Sequence, residues 1–152
     1  MNIEDIMSKD LIVGYINDTI YALANKMQKW DIGFIPIADN TKIVGVITDR
    51  DIVVSAISNN IDLNTEVGKY MTRNIISIEK KQSIEEALNL MGKQKIKRLL
   101  VTDNGKFVGI LSLSDIINID LDSKLIINNL KKIWEISRNV DEYKTEIDAF
   151  YL

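Results

Sequence analysis

The sequence predicts an α/β (α+β) fold built from two copies of one β-α-β-β-α unit, followed by a C-terminal helix. Three observations carry this. Gly45-Val46-Ile47-Thr48-Asp49-Arg50-Asp51 returns as Gly109-Ile110-Leu111-Ser112-Leu113-Ser114-Asp115, both reading Gly-x-x-(Ser/Thr)-x-x-Asp, at an offset of 64. The same offset aligns Met7-Ser8 with Met71-Thr72, Thr19-Ile20 with Ser83-Ile84, and Asp39 with Asp103 without a gap, as an internal duplication does. Within each copy the apolar period alternates between 2 and 3.6 in the same order.

In the first copy, Ile3, Ile6 and Met7 share a helical face in a short lead-in turn, and Leu11-Ile12-Val13-Gly14 reads as a short strand. From Thr19 the spacing of Ile20, Leu23, Ala24, Met27 and Trp30 predicts a helix capped by Asp18 or Thr19 and ended at Gly33. Phe34-Ile35-Pro36-Ile37-Ala38 is a strand; its proline cannot donate to a ladder, so the strand lies at an edge or Pro36 sits where no donor is needed. The polar turn Asp39 to Lys42 makes a hairpin with Ile43 to Ile47, and Asp49 to Ile57 is helical.

Ser58 to Glu66 is polar and aperiodic, so we place the units at 1–60 and 61–120. The second copy repeats the plan: a turn at Val67 to Met71, a strand at Ile75 to Ile78, and a helix from Ser83 whose Ser83-Ile84-Glu85-Glu86 is a capping box. Leu99-Leu100-Val101 and Phe107 to Leu111 then form the second hairpin. Leu23-Ala24 becomes Ala87-Leu88, a swap of large and small that keeps the pair's volume. The extension 121–152 has no counterpart upstream. Its Ile126, Ile127, Leu130, Ile133, Trp134 and Ser137 fall on one helical face, to be buried on the chain's own repeats or on a second copy. The acidic tail beyond Val140 supports no assignment.

Composition narrows the function. A chain of 152 residues that is 46% hydrophobic can build a core, and its net charge of −3 argues against a nucleic-acid backbone as partner. No run is long and apolar enough for a membrane span, and the acidic start lacks a secretory h-region, so a cytoplasmic protein is expected. With no histidine and no cysteine, the usual nucleophile–base pairs and zinc sites cannot be built, which disfavours an enzyme and leaves no metal or required cofactor expected.

Thr48 to Asp51 and Ser112 to Asp115 read first as capping boxes, each worth about 1 kcal/mol. They also admit a second reading as a ribose-phosphate site, with a glycine permitting close approach, a hydroxyl suited to phosphate at a helix start, and an aspartate one turn in that can accept from a vicinal diol.

Ile6-Met7-Ser8, Ile35-Pro36-Ile37-Ala38-Asp39 and Val44 to Ile52, each echoed 64 residues on, resemble a tandem pair of CBS (cystathionine β-synthase) domains, a Bateman module. The resemblance covers about residues 1 to 120. It implies two units packed through their sheets about a pseudo-twofold axis, with two clefts for adenosine-containing ligands: AMP, ADP, ATP, S-adenosylmethionine or cyclic di-AMP. By that resemblance Asp51 and Asp115 hold ribose, and Thr48 and Ser112 face phosphate. Lys97-Arg98 stand where family members often carry a basic pair for phosphate, with Arg50 as a further contact. The first copy has Gly33-Phe34 there, so unequal clefts are expected, with Asp115 beside Lys97 and Arg98 the better provided. Adenine is expected among Ile12, Val13, Ile35, Ile76 and Leu99. The implied function is a regulatory adenine-nucleotide sensor acting on an unknown partner protein, as a homodimer; the alternative is a ligand-free dimerisation scaffold.

Overall fold

The computed structural model describes residues 1–119 and 121–134. Each copy contributes one three-stranded sheet. In the first, β1 (Gly14–Tyr15), β2 (Phe34–Asp39) and β3 (Lys42–Thr48) lie in that order, with α1 (Ile20–Trp30) between β1 and β2 in the chain. Helix α2 (Asp49–Asp51) follows β3 and runs on as a π-helical turn, Ile52–Ile57. In the second, β4 (Ser77–Glu79), α3 (Ile84–Gln94), β5 (Arg98–Asp103), β6 (Lys106–Ser112) and α4 (Leu113–Ile117) repeat the plan, and α5 (Ser123–Trp134) closes the described chain. In both sheets the short first strand runs parallel to the second and the hairpin is antiparallel.

Several expected boundaries move. The first strand of each copy lies two to three residues later than the apolar runs Leu11–Gly14 and Ile75–Ile78 suggest. Helix α1 ends at Trp30 rather than at Gly33, because Asp31 takes the left-handed conformation (φ 51°) and caps it; Lys95 (φ 55°) does the same for α3. Thr19 is the N-cap of α1, its hydroxyl accepting from the Ala22 N–H at 3.1 Å.

Pro36 stands in a central strand, not at an edge. Its partner in the other copy, Leu100, donates its N–H to Ile76 O at 3.3 Å. Proline lacks that donor, and β1 accordingly pairs only from Ile37 onward, one residue shorter than β4. The swap of Leu23-Ala24 for Ala87-Leu88 also has a different cause from the one expected. A Cβ at Gly14 would lie 2.6 Å from Leu23 Cδ2, so Leu23 fills the space the glycine leaves. At the equivalent pair, Ile78 and Ala87, the sizes are reversed, and both are buried in the second core.

The two cores do not follow the boundary expected at 60/61. Ile3, wholly buried, belongs to the core of α3, β5 and β6, with Ile6 and Met7 packed against it. Val67 and Met71 belong in turn to the core of α1, β2 and β3. Backbone bonds repeat the exchange: Ser8 pairs with Ile110 and Thr72 with Val46, each through two hydrogen bonds of 2.8–3.0 Å. Each lead-in turn therefore completes the other unit, which ties the halves into one body related by a pseudo-twofold. The motif glycines serve this crossing. A Cβ at Gly45 would lie 2.6 Å from Met71 Sδ and 3.0 Å from Thr72 O, and one at Gly109 would lie 2.8 Å from Met7 Sδ and 2.9 Å from Ser8 O. The close approach expected at these glycines is to the partner unit's backbone rather than to a ligand.

Helix α5 packs on the second unit, against α3. Ile133 is buried, and Leu125, Ile126 and Leu130 lie against the second core, while Ile127 and Trp134 are half exposed. The buried face is thus turned from the expected stripe, and its centre is polar. Asn129 is buried and donates to Asn89 Oδ1 (3.3 Å) and Leu125 O (3.1 Å). A Cβ at Gly92 would meet Asn129 Oδ1 at 2.6 Å. The first copy has Gln28 at that position, so only α3 offers the shallow surface α5 needs. Ser137 and the acidic tail lie outside the described residues. Among the described residues no helix is long and apolar enough to cross a membrane.

Candidate functional site: two clefts of opposite charge

Thr48 and Ser112 end β3 and β6 and cap the helices that follow. The Asp51 N–H donates to Thr48 Oγ1 at 3.1 Å, and Asp51 Oδ2 accepts the Thr48 N–H at 2.9 Å. At the second copy the Ser112 N–H and hydroxyl both donate to Asp115 Oδ2, at 2.7 and 2.6 Å, while the Asp115 N–H donates back to Ser112 Oγ at 3.2 Å. The capping reading is therefore correct as local structure. It uses one oxygen of each carboxylate, and both aspartates also line a cleft between the units.

The larger cleft, about 460 Å³, is lined by Thr48, Asp49, Arg50 and Asp51 from the first unit, and by Asn74, Ile76, Lys95, Ile96, Lys97, Arg98 and Leu100 from the second, with Phe34 and Val46. The smaller, about 200 Å³, is lined by Ser112 and Asp115 with Ser8, Asp10, Ile12, Asp31, Ile32, Gly33, Phe34, Arg98 and Ile110. The 64-residue offset maps one lining onto the other almost residue for residue. It maps the charges differently: Lys95 onto Asp31, Lys97 onto Gly33, Asn74 onto Asp10. The Asp51 cleft sets four cations against two carboxylates; the Asp115 cleft sets three carboxylates against one cation, Arg98. Among the described residues none of Arg50, Lys97 and Arg98 is ion-paired. The Arg98 guanidinium lies 5.9 Å from the Phe34 ring centre, and Lys97 Nζ 4.3 Å from that of Trp134.

The expected pairing of Asp115 with Lys97 is corrected by this arrangement, while Arg98 does line the cleft of Asp115. Because the units face each other, the strand start of the second copy opens onto the motif of the first, and Lys97 joins Asp51 and Thr48. Arg98 reaches both clefts. Gly33 does more than omit a charge: a Cβ there would lie 2.6 Å from Asp49 Oδ2.

Of the expected adenine residues, Ile76 lines the Asp51 cleft and Ile12 the Asp115 cleft. Ile35 and Leu99 are corrected: both are fully buried in the cores and line neither cleft. Side chains alternate across a strand, so their neighbours Phe34, Arg98 and Leu100 take the cleft face instead. Val13 lines neither cleft, since the chain there leads into β1. Sequence reading missed Asn74, Lys95 and Ile96 and their equivalents Asp10, Asp31 and Ile32. The signal that could have found them is the offset itself, applied to the helix-end residues Asp31 and Lys95.

The family model described as CBS domain matches residues 3–57 and again 67–122. The chain belongs to the CBS-domain family. It carries that domain in tandem, and solved structures of CBS-domain proteins share its fold. The uncharacterised protein YlbB of Bacillus subtilis is 34% identical over 116 residues, 75% of this chain and 78% of YlbB. Hypoxic response protein 1 of Mycobacterium tuberculosis is 33% identical over 114 residues, 74% of this chain and 80% of that protein. The CBS domain pair of protein MJ0100, solved in complex with 5-methylthioadenosine and S-adenosyl-L-methionine, superposes with a TM-score of 0.70 at 31% identity, covering 77% of this chain and 93% of that one.

Proposed function

We propose that this CBS pair is a regulatory module that binds one phosphate-bearing adenosine ligand, an AMP-, ADP- or ATP-type nucleotide, in the Asp51 cleft and acts on a partner protein. The observation that carries the reading is the conjunction in that cleft of the capped Thr48–Asp51 motif with Arg50, Lys97 and Arg98, none ion-paired among the described residues. Asp51 accepts from the ribose hydroxyls through the carboxylate oxygen its cap leaves over. Lys97, Arg98, Arg50 and the Thr48 hydroxyl take the phosphates, as charge-assisted bonds favour. Ile76, with Phe34, Ile96 and Leu100, supplies an apolar wall for adenine. The volume of about 460 Å³ lies in the range of small-ligand sites, whereas 200 Å³ lies below it.

The Asp115 cleft is read differently. Asp10 and Asp31 repel phosphate, so Ser112 and Asp115 act there chiefly as a cap. The adenosine ligands bound by the MJ0100 pair support the ligand class without choosing the member. The lack of His and Cys keeps the reading non-catalytic.

Thermal melting with AMP, ADP, ATP, S-adenosylmethionine, cyclic di-AMP and adenosine tests this. A nucleotide at a hundred times its Kd is expected to stabilise the fold by about 2.7 kcal/mol, several degrees for a chain of this size. No shift with any of them would leave a ligand-free scaffold.

Homodimerisation now rests on another surface, since α5 packs Leu125, Ile126, Leu130 and Ile133 on its own chain. Val53, Val54 and Ile57, 50–57% exposed, stand on the helix after Thr48, and Ile117, the equivalent of Val53, is 50% exposed on α4. Light scattering is expected to give twice the chain mass, and Val54→Glu the single mass.

A further inference from the structure

The described part of helix α5 reaches the rim of the Asp51 cleft. Its last described residue, Trp134, half exposed, lies 4.3 Å by ring centre from Lys97 Nζ, and Lys97 lines the cleft. The adjacent Ile133 is buried in the second core and Asn129 is seated on Gly92, so the backbone carrying the indole is fixed. We propose that Trp134 is a positioning residue for phosphate: it holds the Lys97 ammonium at the cleft, which makes the C-terminal extension part of the nucleotide site. This rests on the nucleotide reading above.

The chemistry favours an aromatic partner over an acidic one. A lysine side chain is long and loses much rotamer freedom when a phosphate immobilises it. A partner that orders it beforehand removes part of that loss. A carboxylate in that place would cancel the charge and compete with phosphate for it. The face of an indole attracts the ammonium through its quadrupole and leaves the positive charge intact. Neither feature exists at the other cleft, where Gly33 replaces Lys97 and no extension follows the first repeat.

The test uses the two tryptophans of the chain, with Trp30→Phe as background so that Trp134 is the only indole. Binding of ATP, AMP and adenosine is measured by calorimetry and by Trp134 emission. ATP and AMP are expected to change the emission and adenosine to leave it nearly unchanged; Lys97→Met abolishes the change. Trp134→Leu is expected to weaken ATP and AMP roughly two- to fivefold, the worth of one exposed cation–π contact, with adenosine unaffected. Trp134→Phe, which keeps a ring, retains most of the affinity and serves should the leucine variant fold poorly. Equal loss for adenosine and ATP, or no loss with a flat emission signal, overturns the positioning role while leaving the nucleotide site standing. Failure of the unsubstituted chain to bind any of the three overturns both.

Discussion

Ile3→Ala is expected to destabilise the protein by about 2–5 kcal/mol, although the residue lies three positions from the start of the chain. A terminal residue in a loose arm would cost less than about 0.5 kcal/mol. Ile3 is instead fully buried, and its neighbourhood is the second unit: Ile84, Leu88, Leu99 and Leu111 share its core. Its N–H donates to Gln82 O at 3.1 Å, and the next residue's to Lys80 O at 3.0 Å, so the backbone around it is held too. Removing three carbons there leaves a cavity in a core that rigid strands surround. Urea unfolding checks this, with Met1→Ala, largely exposed, as the control that should not move. A midpoint for Ile3→Ala within error of the control would mean that the lead-in turn is not part of the second core.

Asp51→Ala is expected to weaken ATP and AMP binding by roughly 10- to 150-fold, the worth of about 1.5–3 kcal/mol for hydrogen bonds to a charged group. Asp115→Ala should change nucleotide affinity little. Both variants lose a capping box, so both should lose about 1 kcal/mol of stability. The comparison therefore separates the two duties of the motif, because the cap is common to both copies and the cations are not. Lys97, Arg50 and Lys95 line only the cleft of Asp51, and Asp10 and Asp31 only that of Asp115. Calorimetric titration of the two variants gives the answer. Equal affinities would return Asp51 to a purely structural role, and a larger loss at Asp115 would reverse the assignment of the clefts.

Much of this fold was legible because it is written in local signals. The 3.6-residue period of Ile20, Leu23 and Met27, the hydroxyl at Thr19, and the Ser83–Glu86 box each act within one or two turns, and each helix starts where they place it. The motif residues Thr48, Asp51, Ser112 and Asp115 were legible for the same reason, and all four line clefts. Errors arose where a local signal served a distant purpose. Gly45 and Gly109 look like ligand glycines but make room for Met71 and Met7 of the opposite lead-in turns. Ile35 and Leu99 have the right character for an adenine wall, yet strand alternation turns them into the cores and brings Phe34 and Leu100 to the cleft. On α5, counting only apolar residues hid Asn129, for which the missing side chain of Gly92 on α3 leaves room.

By itself the amino-acid sequence determined that one unit occurs twice, how each unit is capped and paired, and which four side chains stand at the ends of β3 and β6 and in the first turn of the helices that follow. Those properties depend on residues three or four apart, or on a repeat visible by inspection. Only the tertiary structure decided that each lead-in turn completes the other unit, and that Lys97 lines the cleft of Asp51 rather than that of Asp115. Both follow from a two-fold packing, in which residues far apart in the chain meet and those close in sequence face opposite clefts; no pattern of neighbours encodes that.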